Sequence, residues 1–179
     1  MWLVVTVVTV VAVLASYLTW LAGRLDRLHG RVEAARASLD AQLVRRAAAA
    51  GELAAYAVAA PLRLGVDGPA LAATAAAARV VGHEEREAAE NDLSRALHAV
   101  FDELSSTPPV EAEPARLLAE LEAASTRVVL ARRFYNDAVR DTRAFRSRRI
   151  CRWLRLAGHA PLPAYFEIDD TAAVAATAS

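Results

Sequence analysis

LLAELEAASTRVVLARRFYNDAVRDTRAF, residues 117–145, is the stretch from which the fold class is read. Leu117, Leu121, Ala124, Val128, Ala131, Tyr135, Ala138, Thr142 and Phe145 recur there at spacings of 4 and 3 throughout. A helix turns once in about 3.6 residues, so this spacing holds one apolar face over more than four heptads, a coiled-coil-like pattern. Arg127, Arg133, Arg140 and Asp141 fall on the other face. A stripe of this length has to be covered by other helices, which predicts a bundle. Tyr135 sits on the stripe, so its ring should pack and its hydroxyl should find a partner at the bundle edge.

Two further helical regions precede it. From Arg24 to Ala60 the chain has no proline, and Leu25, Leu28, Val32, Ala35 and Leu39 repeat at 3 and 4. The stripe resumes at Leu43, Ala50, Leu53 and Ala57 after a shift in phase, which predicts a local change of twist. Pro61 ends or bends this helix. Gly65 to Pro69 is a turn in which Asp67 or Gly68 can cap and Pro69 suits the start of a helix. Ala70 to Ala78 is nearly all alanine and offers little area to bury. Leu93, Leu97, Val100 and Leu104 form the next stripe, and Ser105 to Pro109 breaks it. The first and last soluble helices would each measure about 55 Å. If Gly82 does not break the middle segment, three matched antiparallel helices result; if it does, four. Nothing reads as a strand, because the valine runs belong to the N-terminus.

Met1 to Gly23 contains no charged side chain, and Trp2 to Ala22 is apolar apart from Thr6, Thr9, Ser16 and Thr19. Those hydroxyls can bond back to their own helix. About 20 such residues cross a hydrocarbon core. Trp2, Tyr17 and Trp20 lie toward the ends, where aromatic belts form. A cleavable signal is the rival reading, with Val13-Leu14-Ala15 as its site. No basic region precedes the apolar run, and the run continues past that site, so an uncleaved anchor over residues 1–23 is expected. Arg24, Arg27 and Arg31 follow the span, which places the remainder in the cytoplasm.

The formal net charge is zero, but it is unevenly spread. Three Arg face seven acids between Arg79 and Glu103, and ten Arg face two acids between Arg127 and Arg155. The expectation is that the acidic helix packs beside the basic one. All 21 basic residues are Arg, and Cys151 is the single cysteine, so no intrachain disulfide forms.

No chemistry-bearing motif appears. Di-iron bundles need Glu three residues before His, and none of His29, His83, His98 and His159 has one. His83-Glu84 begins like a zinc-protease motif, but Glu87 stands where the second His belongs. Residues His83 to Glu90 read as a solvated helix start. No phosphate loop or nucleophile elbow is present. Catalytic residues, metal ligands and cofactors are therefore expected to be absent. The segment of greatest interest is basic: Arg146, Arg148, Arg149, Arg152 and Arg155 alternate with Ile150, Trp153, Leu154 and Leu156. Such a segment suits an anionic membrane surface, a protein partner, or a cap folded back on the bundle. With three soluble helices it would lie far from the anchor; with four it would return toward the bilayer. Nucleic acid would use the same charges, but no motif for it is present.

Four stretches carry a family resemblance. RVEAARASLDAQLVRR (Arg31 to Arg46), AENDLSRALHAVF (Ala89 to Phe101), ARRFYNDAVRD (Ala131 to Asp141) and AYFEIDD (Ala164 to Asp170) resemble the LemA family in order and spacing. The resemblance implies a bacterial membrane protein with a long antiparallel bundle, four-helical in the family, and it implies no catalytic residues. The chain departs from the family after Arg46, where AAAAGELAAYA replaces larger side chains, so a thinner core or closer helix approach should follow.

The expectation is therefore an all-α protein: an N-terminal transmembrane helix followed by a long antiparallel three- or four-helix bundle. Its parts are an anchor (1–23), a bundle (24–150), a basic and aromatic segment on the bundle or membrane (151–170), and a disordered tail (171–179). The expected role is a scaffold or adaptor at the bacterial inner membrane, acting through an unknown protein partner, with homo-oligomerisation plausible. The alternative is a membrane-surface or lipid-sensing element using Arg146, Arg148, Arg149, Arg152, Trp153 and Arg155.

Overall fold

A computed structural model describes residues 1–60, 64–80, 82, 85–106, 109–147 and 161–168. Arg148, Arg149, Cys151, Arg152, Trp153 and Arg155, together with His83, Glu84 and the tail from Thr171, lie outside the described residues. The described residues form α1 (Trp2–Ala59), α2 (Gly68–Val80), α3 (Arg86–Ser106) and α4 (Ala112–Arg146), with no strand among them.

Of the two alternatives left open at Gly82, the structure has the break. α2 ends at Val80, α3 begins at Arg86, and Gly82 between them is not helical. The matched lengths that favoured three soluble helices give way to four. Glycine costs about 1 kcal/mol in a helix interior, and the alanines before it bury too little area to offset that. The start of α2 is fixed by Asp67, whose Oδ1 accepts the Ala70 N–H at 3.0 Å. Gly65 takes φ +65°, the left-handed conformation that glycine adopts without strain, and so allows the turn.

The chain divides into two compact units, Met1–Arg36 with Tyr135–Tyr165, and Ala37–Phe134 with Phe166–Ser179. Their residues come from both long helices. In the second unit, one core draws on all four helices. Leu53 of α1, Leu71 of α2, Leu93 and Leu97 of α3, and Leu117 and Leu121 of α4 are buried in it. Leu64, Val100 and Leu104 belong to it too, and Ala47, Ala50, Ala54 and Ala57 of α1 with Ala75 and Ala78 of α2 fill the space between them. Small side chains permit close approach, as expected from the departure after Arg46. A Cβ on Gly68 would meet the Val58 backbone nitrogen at 2.8 Å and the Ala54 carbonyl at 3.0 Å. Phe166 and Ile168 are also buried in this unit, and the Glu167 N–H donates to Glu87 Oε1 at 3.3 Å.

In the first unit, the opening of α1 runs antiparallel to the close of α4. Arg31 reaches Asp141 at 3.8 Å, the Thr142 hydroxyl lies 3.5 Å from the Leu28 carbonyl, and Phe145 packs with Leu21 and Leu25. Residue numbers fall on α1 as they rise on α4, so the last turn of α4 meets α1 where its apolar run ends. Before Leu21, α1 is exposed apart from the half-buried Leu18. It contains a window of mean hydropathy 2.2, none of it buried, and it is long and apolar enough to cross a membrane. Thr6, Thr9 and Thr19 each bond back to the carbonyl four residues earlier, at 2.9–3.0 Å, as their positions predicted.

Candidate functional site

The last two turns of α4 carry Arg140, Arg143 and Arg146 at three-residue spacing, beside the Phe145 contact with α1. Chain segment 161–165 lies over them. Arg143 Nη1 donates to the Pro163 carbonyl at 3.2 Å, and Arg146 Nη1 to the Pro161 carbonyl at 2.9 Å. The Tyr135 hydroxyl donates to the Ala164 carbonyl at 2.9 Å, so the expected partner at the bundle edge is Ala164. The Arg143 guanidinium sits 5.3 Å from the Tyr165 ring centroid. Between these side chains is an open cleft of about 620 Å³ lined by Arg140, Arg143, Arg146, Ser147, Leu162 and Tyr165.

On α1 the matching level is aromatic and basic. Tyr17 and Trp20 stack with centroids 6.1 Å apart. The Arg24 guanidinium lies 5.7 Å from Trp20 and 5.4 Å from Phe145, a cation held between two ring faces. Arg146 is thus the member of the expected basic surface that the structure describes. Arg140 and Arg143 join it; in the sequence Arg140 stands out only on the face opposite the stripe, and Arg143 only as charge. Their signal was the three-residue repeat running into Arg146.

A second polar cluster lies in the core of the other unit. Arg46 Nη2 pairs with Glu90 Oε2 at 2.6 Å, and Arg46 Nη1 donates to Ser94 Oγ at 3.3 Å. The two charged side chains are 4% and 0% exposed. This corrects the reading of His83 to Glu90 as solvated: Glu90 stands three residues before Leu93 and continues the same buried stripe. The cation that Glu90 meets is on α1, while Leu93 and Leu97 of Glu90's own helix, α3, share a core with Leu117 and Leu121 of α4. Glu90 Oε1 and Arg46 Nε have no hydrogen-bond partner among the described residues. Burial pushes the Glu90 carboxyl above its ordinary pKa, opposed by the charge and hydrogen bond of Arg46. No group of three or more His, Cys, Asp or Glu able to hold a metal occurs among the described residues.

No family model matches the chain, and no curated protein matches it significantly.

Proposed function

We propose that the protein is a single-pass membrane scaffold of the LemA type, which acts by binding rather than by catalysis, with the basic end of α4 at the bilayer surface. The observation that carries this is the packing of Phe145 on Leu21 and Leu25, at the end of a bare apolar run. The basic turns of α4 flank that contact. Arg24, Arg27 and Arg31 after the span support a cytoplasmic bundle in a bacterial inner membrane. Four in-register motifs, ARRFYNDAVRD foremost, support the family.

A protein partner is the second part of this reading, and it rests on Phe134. That side chain is 70% exposed within the strongest motif, and Leu130 one turn earlier is 47% exposed. Large apolar side chains left bare on adjacent turns suit a contact face. The test is cross-linking of the full-length chain in its native membranes, with residues 1–23 alone as control. The expected result is a protein recovered with the full chain, absent from the control, and lost on Phe134→Ala with Leu130→Ala. Recovery of only lipid and copies of the chain itself would overturn the partner reading.

A further inference from the structure

We propose that the outer face of α4 around Leu130 and Phe134 binds an acidic amphipathic helix of another protein, whose carboxylates are set against Arg127 and Arg133. This rests on the partner reading above and adds the chemistry of the partner.

Charge comes first. Between Glu122 and Asp137 the chain has no acid, and it has Arg127, Arg132 and Arg133. An arginine on a helix meets a carboxylate of its own helix three or four residues away. Around Arg127 those positions hold Ala123, Ala124, Leu130 and Ala131. Asp137 stands four residues after Arg133 but pairs with Arg140 at 2.9 Å. Arg127 and Arg133 are exposed, and neither has an ion pair among the described residues. Arg116, earlier on the same helix, is the opposite case: both Glu113 and Glu120 hold it. The cations left without a carboxylate therefore coincide with the apolar side chains left without cover.

Shape comes second. Leu130 and Phe134 lie one turn apart and are 47% and 70% exposed. Side chains four residues apart form a ridge, and a ridge fits the groove between side chains of a second helix. Aromatic and arginine side chains are the types that dominate binding energy at such contacts, which makes Phe134 the anchor. Arg127 and Arg133 are separated by about 9 Å along the axis. A partner helix answers them with two acids about two turns apart and apolar residues between. Arg127, Leu130, Arg133 and Phe134 all belong to the second unit, so the face is complete within it.

An anionic bilayer would use the same arginines. It would also meet Glu122, which is exposed at the end of the acid-free stretch and has no ion pair among the described residues. A helix brings its acids to two points and leaves Glu122 in water.

The experiment uses the full-length chain in phosphatidylcholine nanodiscs and labelled helical peptides, read by fluorescence polarisation. The first peptide carries Leu on adjacent turns, flanked by Glu at the spacing of Arg127 and Arg133. The second has Lys in place of Glu, and the third has Ala in place of Leu. The first is expected to bind about tenfold tighter than either of the others. Arg127→Glu with Arg133→Glu should invert the order of the first two, a gain that a misfolded variant could not produce. Phe134→Ala should weaken the first about tenfold, and Arg116→Gln should leave it unchanged. Equal binding of the Glu and Lys peptides would overturn the acidic chemistry and leave a partner at Phe134 standing. No binding by any peptide would overturn a helical partner, and the cross-linking result with Phe134→Ala then decides the partner reading separately. Binding of the first peptide untouched by the variants would overturn this face in favour of another basic region. Displacement of the peptide by phosphatidylglycerol vesicles, with lipid binding lost in Arg127→Glu with Arg133→Glu, would overturn the protein partner in favour of the bilayer. Self-association that needs Phe134 would overturn it in favour of a second copy.

Discussion

Arg46 and Arg143 belong to different units and are built to opposite ends. Arg46 is buried among alanine and leucine, and its guanidinium is committed to Glu90 and Ser94. Arg143 stands at the rim of a cleft, steadied by a carbonyl and a ring that leave its charge uncancelled. The first arrangement spends charge on internal order. A buried pair gains little net stability but penalises every packing in which the two groups fail to meet, so it favours one register of α1 against α3. The second arrangement keeps charge available to something outside the chain.

Removing one partner of the buried pair is the most severe way to break this contrast. Arg46→Met should lower unfolding free energy by about 3–5 kcal/mol, because it leaves a carboxylate buried without its cation. Arg46→Met with Glu90→Leu should return close to the parent value, as an apolar replacement of the whole pair costs little. Urea titration followed by circular dichroism measures both. If the double variant were as unstable as the single one, the pair would be contributing more than mutual compensation.

The same single variant sharpens the contrast through pH. In Arg46→Met burial remains the largest influence on Glu90, opposed by the weaker charge of Arg86 and reinforced by that of Asp40, and its folded pKa stands above the unfolded one. The unfolded chain then loses this proton first. Stability is fully present below the ordinary carboxylate value and is lost as pH rises through the folded pKa. Melting curves of Arg46→Met should therefore show a midpoint that falls with rising pH more steeply than in the parent. A flat difference between the two would remove Glu90 as the titrating group.

Smaller effects follow from the turn before α2. Gly68→Val should cost about 1–3 kcal/mol, since its Cβ has no room against the Val58 and Ala54 backbone. Asp67→Ala removes the cap on Ala70 and should cost about 1 kcal/mol. Arg143→Gln should change stability by less than about 0.5 kcal/mol, because it faces outward. A loss comparable to that of Arg46→Met would end the distinction between the two arginines.

The stripes of the helices were legible because burial leaves a periodic trace. All nine residues from Leu117 to Phe145 read as one face are buried. The phase shift on α1 was legible only in part. Arg46 fills the place left open between Leu43 and Ala50, so the seam continues through a charged residue and its irregular step lies at Leu39–Leu43. A reading that follows apolar residues alone passes over a buried arginine, although the gap it leaves is itself a signal. Glu90 was hidden for the same reason, within a run of acids that resembles a solvated surface. The cleft at the end of α4 was hidden differently. Segment 161–165 has no period, and its contacts through backbone carbonyls leave no mark on side-chain identity.

Within the first unit α1 runs from its apolar stretch to Arg36 with no interruption, and Phe145 rides on it at Leu21 and Leu25. In a bilayer this makes the height of the arginine cleft a property of the helix rather than of a linker. One step from Arg146 to Arg143 raises a charge by about 4.5 Å, close to the few ångströms by which hydrocarbon thickness differs among membranes. A thin bilayer would bring its phosphates level with Arg146, and a thick one would bring them level with Arg143. In the membrane-anchored reading, the same ladder of guanidiniums would thus act as a depth gauge, reporting membrane thickness as a choice of arginine.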